Sequence, residues 1–344
     1  MSELLRKLTQ TPGTPGYEHR IRTLIYEEMK PLVDEIRYDR MGSVIGVKKG
    51  SADGPRVMLA AHMDQIGFLV SHIDDNGFIR LNPTGGFDPR TLMAQRVVVH
   101  GKEDLPGVMG SKPIHVLSDE EKKKQMKIED YFVDLGLPGE KVKELVRVGN
   151  MVTWVGEFDE IGDMYVSRAM DDRIGVYLML EALRAVGDHK ATIIAVATVQ
   201  EEVGLRGARA SAMDIQPDIG IALDVTIAND VPGASEKDYV TKMGEGIAIK
   251  RMDGASIATP ALCDHLEEIA DQKKIKWQPE ILPKGGTDAG AFWQIPGGAF
   301  YTTLSVPSRY VHSTVELVHK QDVQGGVDLL AAFLERAGER EYGY

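Results

Sequence analysis

Cysteine is almost missing: Cys263 stands alone among 344 residues, so no intramolecular disulfide can form. That fits a reducing compartment. Long hydrophobic runs are missing too. The longest, residues 191–199, falls far short of the ~20 residues a membrane helix needs. The first residues, Met1-Ser2-Glu3-Leu4-Leu5-Arg6-Lys7, carry no apolar export core. Together these features give the expectation of a cytoplasmic protein. Basic charge is in deficit, 40 Lys+Arg against 52 Asp+Glu for a net charge of -12, which argues against a nucleic-acid binder. There is no Gly-Lys-Ser/Thr phosphate loop and no Gly-x-Ser-x-Gly elbow, and Cys263 lies in a helical pattern with nothing to activate it. Internal repeats and low-complexity segments are absent.

What is present is ordinary globular material, 43% hydrophobic and 27% charged. At roughly 150 residues per domain the length suggests two domains, or one large domain with an insertion. Continuous apolar runs at 57–61, 192–199 and 219–223 read as strands buried on both faces, and 43–47 and 299–306 as further strands. Helical spacing marks 17–30, 174–186, 260–272 and 323–336. Alternating strands and helices predict an α/β domain with a largely parallel sheet and helices on both faces. From about residue 67 to 165 the pattern changes. Short strands at 68–73, 78–81, 96–100 and 151–155 are separated by Gly, Asp, Asn and Pro, as in a small β-rich insertion. The expected division is therefore 1–66 and 166–344 for the α/β domain and 67–165 for the insertion. Residues 118–127 read as a solvated charged helix or loop.

Chemistry-bearing residues cluster where strands end. Residues 57–61 run into His62-Met63-Asp64, residues 192–199 into Gln200-Glu201-Glu202, and 219–223 into Asp224. The strand from Tyr301 is followed by Tyr310-Val311-His312, and Met170-Asp171-Asp172 opens a buried helix. Ligand sites in open α/β sheets lie beyond the carboxyl ends of the strands. Taken singly, these are a satisfied histidine, a helix cap or a solvated turn. Five at one sheet edge point to a cation, because gathered carboxylates repel one another unless one compensates them. Two His and three carboxylates suit zinc, cobalt or manganese.

One ion would need three protein ligands and an open position; two would need a bridging carboxylate. In the two-ion arrangement Asp171 bridges, His62 and Asp224 complete one site, and Glu202 and His312 the other. Glu201, beside a ligand but not one itself, is the candidate general base. Asp64, two residues from His62 along an extended chain, is the candidate to orient the imidazole.

Lys284-Gly285-Gly286-Thr287-Asp288 admits two readings: a glycine turn before a capped helix, or a backbone stretch approached closely by substrate. The second gives Gly285, Gly286 and Thr287 as substrate-binding candidates. Lys250, Arg251, Lys284 and Arg309 are cations that would favour acidic residues if they faced the site, and solvated surface residues otherwise. His115, in the inserted segment, is a candidate to reach a partner's active site.

The segments Ala61-His62-Met63-Asp64, Ala169-Met170-Asp171-Asp172-Arg173, Gln200-Glu201-Glu202-Val203-Gly204-Leu205-Arg206-Gly207-Ala208, Ala222-Leu223-Asp224, Gly285-Gly286-Thr287-Asp288-Ala289 and Ser308-Arg309-Tyr310-Val311-His312-Ser313 resemble, in order, those of the tetrahedral (TET) aminopeptidases. That family includes glutamyl aminopeptidases and proteins labelled endoglucanase M. The resemblance implies a zinc-peptidase-like α/β three-layer sandwich carrying an inserted small β-barrel dimerisation domain. It also implies two divalent metal ions, zinc or cobalt by type, on the ligands above, with Glu201 as base. A cis Asp171-Asp172 peptide and dimers assembled into a tetrahedral dodecamer belong to the same expectation. Activity would be removal of N-terminal residues from short peptides, with no nucleic-acid or membrane partner. The competing readings are a metal-dependent deacylase or carboxypeptidase, an endoglucanase, and a non-catalytic scaffold. A glycosidase normally uses paired carboxylates rather than two metals.

Overall fold

The computed structural model describes residues 2–51 and 53–343. Its larger sheet has eleven strands, and four at the centre run parallel: Thr192–Thr198, Arg56–His62, Ile219–Ile227 and Phe300–Arg309. Period-two alternation explains why these strands read as unbroken apolar runs. Val57, Leu59 and Ala61 pack into one core, while Met58 and Ala60 pack into another on the opposite face. The helix Met170–Ala185 lies on the first face with Pro260–Lys273 and Lys320–Arg336; Arg206–Ile215 and the 3-10 turn Asp288–Gln294 cover the second. Helix, sheet and helix make three layers.

The sheet is mixed rather than largely parallel. Glu35–Tyr38, Val44–Lys48, Glu316–His319, Met164–Ser167 and Asp159–Ile161 are antiparallel additions at its two sides. Ile247–Met252 and Trp277–Ile281 branch from Phe300–Arg309.

A second, closed barrel of six antiparallel strands runs from Gly67–Ile73 to Met151–Trp154, in the order Gly67–Ile73, Ile79–Thr84, Phe132–Asp134, Asp104–Gly110, Arg96–His100, Met151–Trp154. Phe68, Val97, Val99, Val133 and Val152 fill it, and closure leaves no exposed sheet edge. One boundary needs correcting: the barrel strands end at Trp154, and the hairpin of Asp159–Ile161 and Met164–Ser167 pairs with the large sheet. Strand periodicity does not tell which sheet a strand joins, so the expected limit at 165 runs past the barrel. Among the described residues, no helix is long and apolar enough to cross a membrane.

Candidate metal centre

The parallel strands deliver the predicted side chains to one edge. His62 is the last residue of its strand. Asp224 lies inside Ile219–Ile227, not at its end, because Val225 and Thr226 continue the pairing with Phe300–Arg309. The neighbouring register of Ala222 with Ala60 nevertheless puts Asp224 level with His62. Two tight backbone turns aim the rest. Ala169 is left-handed just before Asp171, and His312 itself is left-handed, three residues after its strand ends. The Asp171–Asp172 peptide is cis.

Asp171 is the hub. Its Oδ1 lies 3.0 Å from His62 Nε2 and its Oδ2 3.2 Å from His312 Nε2. Glu202 Oε2 stands 3.4 Å from the same His312 nitrogen, and Glu201 Oε2 stands 3.8 Å from His62 Nε2. Two groups of three side chains, His62–Asp171–Glu202 and His62–Asp172–Asp224, each bring ligand atoms within 4.8 Å of one another.

The electrostatics describe a site built for positive charge. Burial, with Asp171 beside it, pushes the Asp224 carboxyl well above its ordinary range. Burial raises Glu201 in the same way, with Asp224 and Glu202 adding to the effect against His62. Asp171 goes the other way: burial is outweighed by the two imidazoles, which hold it low. Burial opposes protonation of both histidines, yet the surrounding carboxylates prevail. His62 is held well above its ordinary value, and Glu202 and Asp171 push His312 up to about 12. The imidazoles and carboxylates of the site thus offset one another's charge. Glu202 Oε1 is buried without a hydrogen-bond partner in the chain. A mixed imidazole and carboxylate set of this kind fits divalent transition ions.

The supporting residues differ from expectation in part. The Asp64 carboxylate stands 3.7 Å from His62 Nδ1, and its Oδ1 and Oδ2 also accept from the backbone N–H groups of Glu201 and Glu202, at 3.0 and 3.2 Å. The group 3.0 Å from His62 Nδ1 is the Asp64 carbonyl oxygen. Asp172 accepts from the His62 and Gly175 N–H groups, one on each oxygen.

Glu316 was not foreseen. Buried, with its carboxyl pushed up to about 8 by burial and the nearby Asp171, it accepts from the backbone N–H of Asp171 at 3.1 Å and of His312 at 2.7 Å, tying two ligands' main chains together. Its only sequence signal is a carboxylate four residues after His312.

Beside these groups a cleft of about 460 Å³ opens, and Gly285 and Gly286 line it with Gly254 and Ala255. An added Cβ on Gly254 would meet the Gly285 carbonyl oxygen at 2.4 Å, so the two loops approach as bare backbone. Thr287 does not line the cleft. Its hydroxyl is buried against Asp253 and Thr303, at 3.1 and 2.9 Å. Three of the four suspected cations are matched elsewhere: Lys250 is buried 2.9 Å from Glu280, Arg251 pairs with Glu267 and Asp264, and Arg309 grips Asp230. Lys284 is exposed. His115 sits on an exposed turn of the barrel segment between exposed Ile114 and Val116.

Similarity to known proteins agrees with this geometry. The family model for M42 glutamyl aminopeptidases matches residues 42–329. A lysyl aminopeptidase of Pyrococcus furiosus is 40% identical over 341 residues, covering 97% of this chain and 96% of that protein. An aminopeptidase structure from Desulfurococcus kamchatkensis is 41% identical with a TM-score of 0.94, covering 98% of this chain and 94% of that one. The TET1 peptidase of Pyrococcus horikoshii, described as assembling into a tetrahedron or a large octahedral shell, is 34% identical with a TM-score of 0.87, covering 97% of this chain and 98% of that one. With the fold and the strand-edge cluster alike in accord, the chain belongs to the M42 glutamyl aminopeptidase family.

Proposed function

We propose that this chain is a dinuclear metal-dependent aminopeptidase that releases N-terminal residues from short peptides. The observation that carries the reading is the Asp171 carboxylate, whose two oxygens each face an imidazole from a different part of the chain. His62 and Asp224 complete one site around it, and Glu202 and His312 the other. Bound there, divalent ions would supply Lewis-acid polarisation of the scissile carbonyl and a more acidic water. Zinc or cobalt suits the imidazole and carboxylate donors best, with manganese next.

Glu201 then accepts the proton from the attacking water and returns it to the leaving amine. Its main chain is fixed by Asp64, which holds the side chain at the site without making it a ligand. Gly285 and Gly286 let a peptide backbone lie close against the cleft wall. The negative charge of the cleft suits a free α-ammonium group, which a blocked substrate lacks.

The test is kinetic. Free peptides should be cleaved, and N-acetylation should abolish turnover. Chelation should remove activity, and zinc, cobalt or manganese should restore it to different degrees. Preference for the acylated substrates would instead make the chain a deacylase.

The barrel is the part we assign to dimerisation, in a cytoplasmic tetrahedral dodecamer. Exposed Ile114 and Val116 on the barrel segment, at 62% and 63%, and the assemblies described for the Pyrococcus horikoshii relative support this. Light scattering should give a mass of twelve chains; a mass of one or two would sink the assignment.

A further inference from the structure

The turn that carries Glu201 and Glu202 begins just after the strand Thr192–Thr198 ends. Gln200 has a φ of 56°, in the left-handed region that a residue with a side chain seldom adopts. Three consecutive backbone N–H groups, those of Gln200, Glu201 and Glu202, then end on carboxylates. Asp64 takes the second and third. Glu18 takes the first: its Oε1 accepts from the Gln200 N–H at 3.2 Å and from the Gly16 N–H at 2.8 Å. Glu18 is 5% exposed, so both bonds form away from competing water.

Glu18 is itself well anchored. Its carbonyl oxygen accepts from the Arg22 N–H at 2.8 Å, at the start of the helix His19–Met29. On one side of it the Tyr17 hydroxyl donates to the Gly149 carbonyl at 2.6 Å. On the other, Arg20 grips both oxygens of Asp104, on a barrel strand, at 2.6 and 2.8 Å. The carboxylate is thus a fixed post, 182 residues from the amide it holds. Without it the Gln200 amide loses that acceptor and the left-handed residue can relax. We propose that Glu18 is a positioning residue for Glu201, fixing the turn that aims the base at the reacting water. This rests on the aminopeptidase reading above, in which Glu201 takes the proton.

The test separates the acceptor oxygen from the bulk of the side chain. Glu18→Gln keeps a carbonyl oxygen for the two amides. Glu18→Met keeps the length and offers no oxygen; Glu18→Ala makes the same test with less volume, should the thioether not fit. On a free-amino anilide, with metal bound, Glu18→Met should lower kcat by about tenfold or more, since a misplacement of about 1 Å can cost 10²-fold. KM and metal content should stay as they are. Glu18→Gln should hold kcat within about threefold of wild type, because the amides keep a neutral acceptor. The deciding step repeats Glu18→Met in Glu201→Gln. With no base left to aim, the further loss should be less than about twofold. A loss that carries over undiminished marks a general structural role and overturns the proposal. So does a loss in KM or metal content in place of kcat, or a Glu18→Gln as slow as Glu18→Met. So does full kcat in Glu18→Met where Glu201→Gln has lost it. If Glu201→Gln turns over as wild type does, the base assignment itself fails and takes this one with it.

Discussion

Glu201→Gln is expected to keep its full metal content and to lose about 10²- to 10⁴-fold in kcat, the range that positioned proton transfer contributes. The geometry separates the two effects. Glu201 belongs to neither group of converging ligand atoms, and its Oε2 stands 3.8 Å from His62 Nε2. Its backbone N–H is held by Asp64, so the loop does not depend on the side chain's charge. The amide has the same shape and cannot take a proton. KM should move far less than kcat, because the change acts on the reacting water rather than on peptide binding. The measurement is paired: steady-state kinetics on a free peptide, and elemental analysis of the same preparation. Unchanged turnover would remove Glu201 from the chemistry. Loss of an ion with the charge would make it a ligand.

The parts that sequence conveys best are those set by burial on both faces. Residues 57–61 and 192–199 are uninterrupted because each sits between two cores, and the strand ends inherit their meaning from that position. Edge elements are harder to read. Glu35–Tyr38 is mostly exposed and so shows no apolar alternation. Asp104–Gly110 contains Pro106 and Gly107, which read as a break; it survives as a barrel strand paired with Arg96–His100. The five side chains proposed as ligands stand beside or within apolar runs, which is what marks them in the sequence. Their supports were not. Glu316 acts on the amides of Asp171 and His312, a relation that exists only once distant segments meet. Asp64 stands beside His62 as its spacing suggests, but the Glu201 and Glu202 amides it accepts come from another segment, a relation that spacing does not show.

Asp171→Ala should bring the second large effect: fewer than two ions per chain and turnover at background. The carboxylate is the one group that faces both imidazoles, at 3.0 and 3.2 Å, so its removal takes a donor from each ion at once. It also takes away the negative charge between the two imidazoles. Asp171→Asn sharpens the test. It preserves shape but offers one carbonyl oxygen, so it should hold no more than one ion. Thermal unfolding gives an independent readout. An ion that binds only the folded state adds about 2.7 kcal/mol when present at a hundred times its dissociation constant. Zinc should therefore raise the melting temperature of the wild-type protein and do so far less for Asp171→Ala. The bridge assignment falls if elemental analysis still finds two ions in Asp171→Ala, or if zinc stabilises both proteins equally. In that event the two ions would have to be held independently, with Asp172 the nearest carboxylate to take a place beside His62 and Asp224.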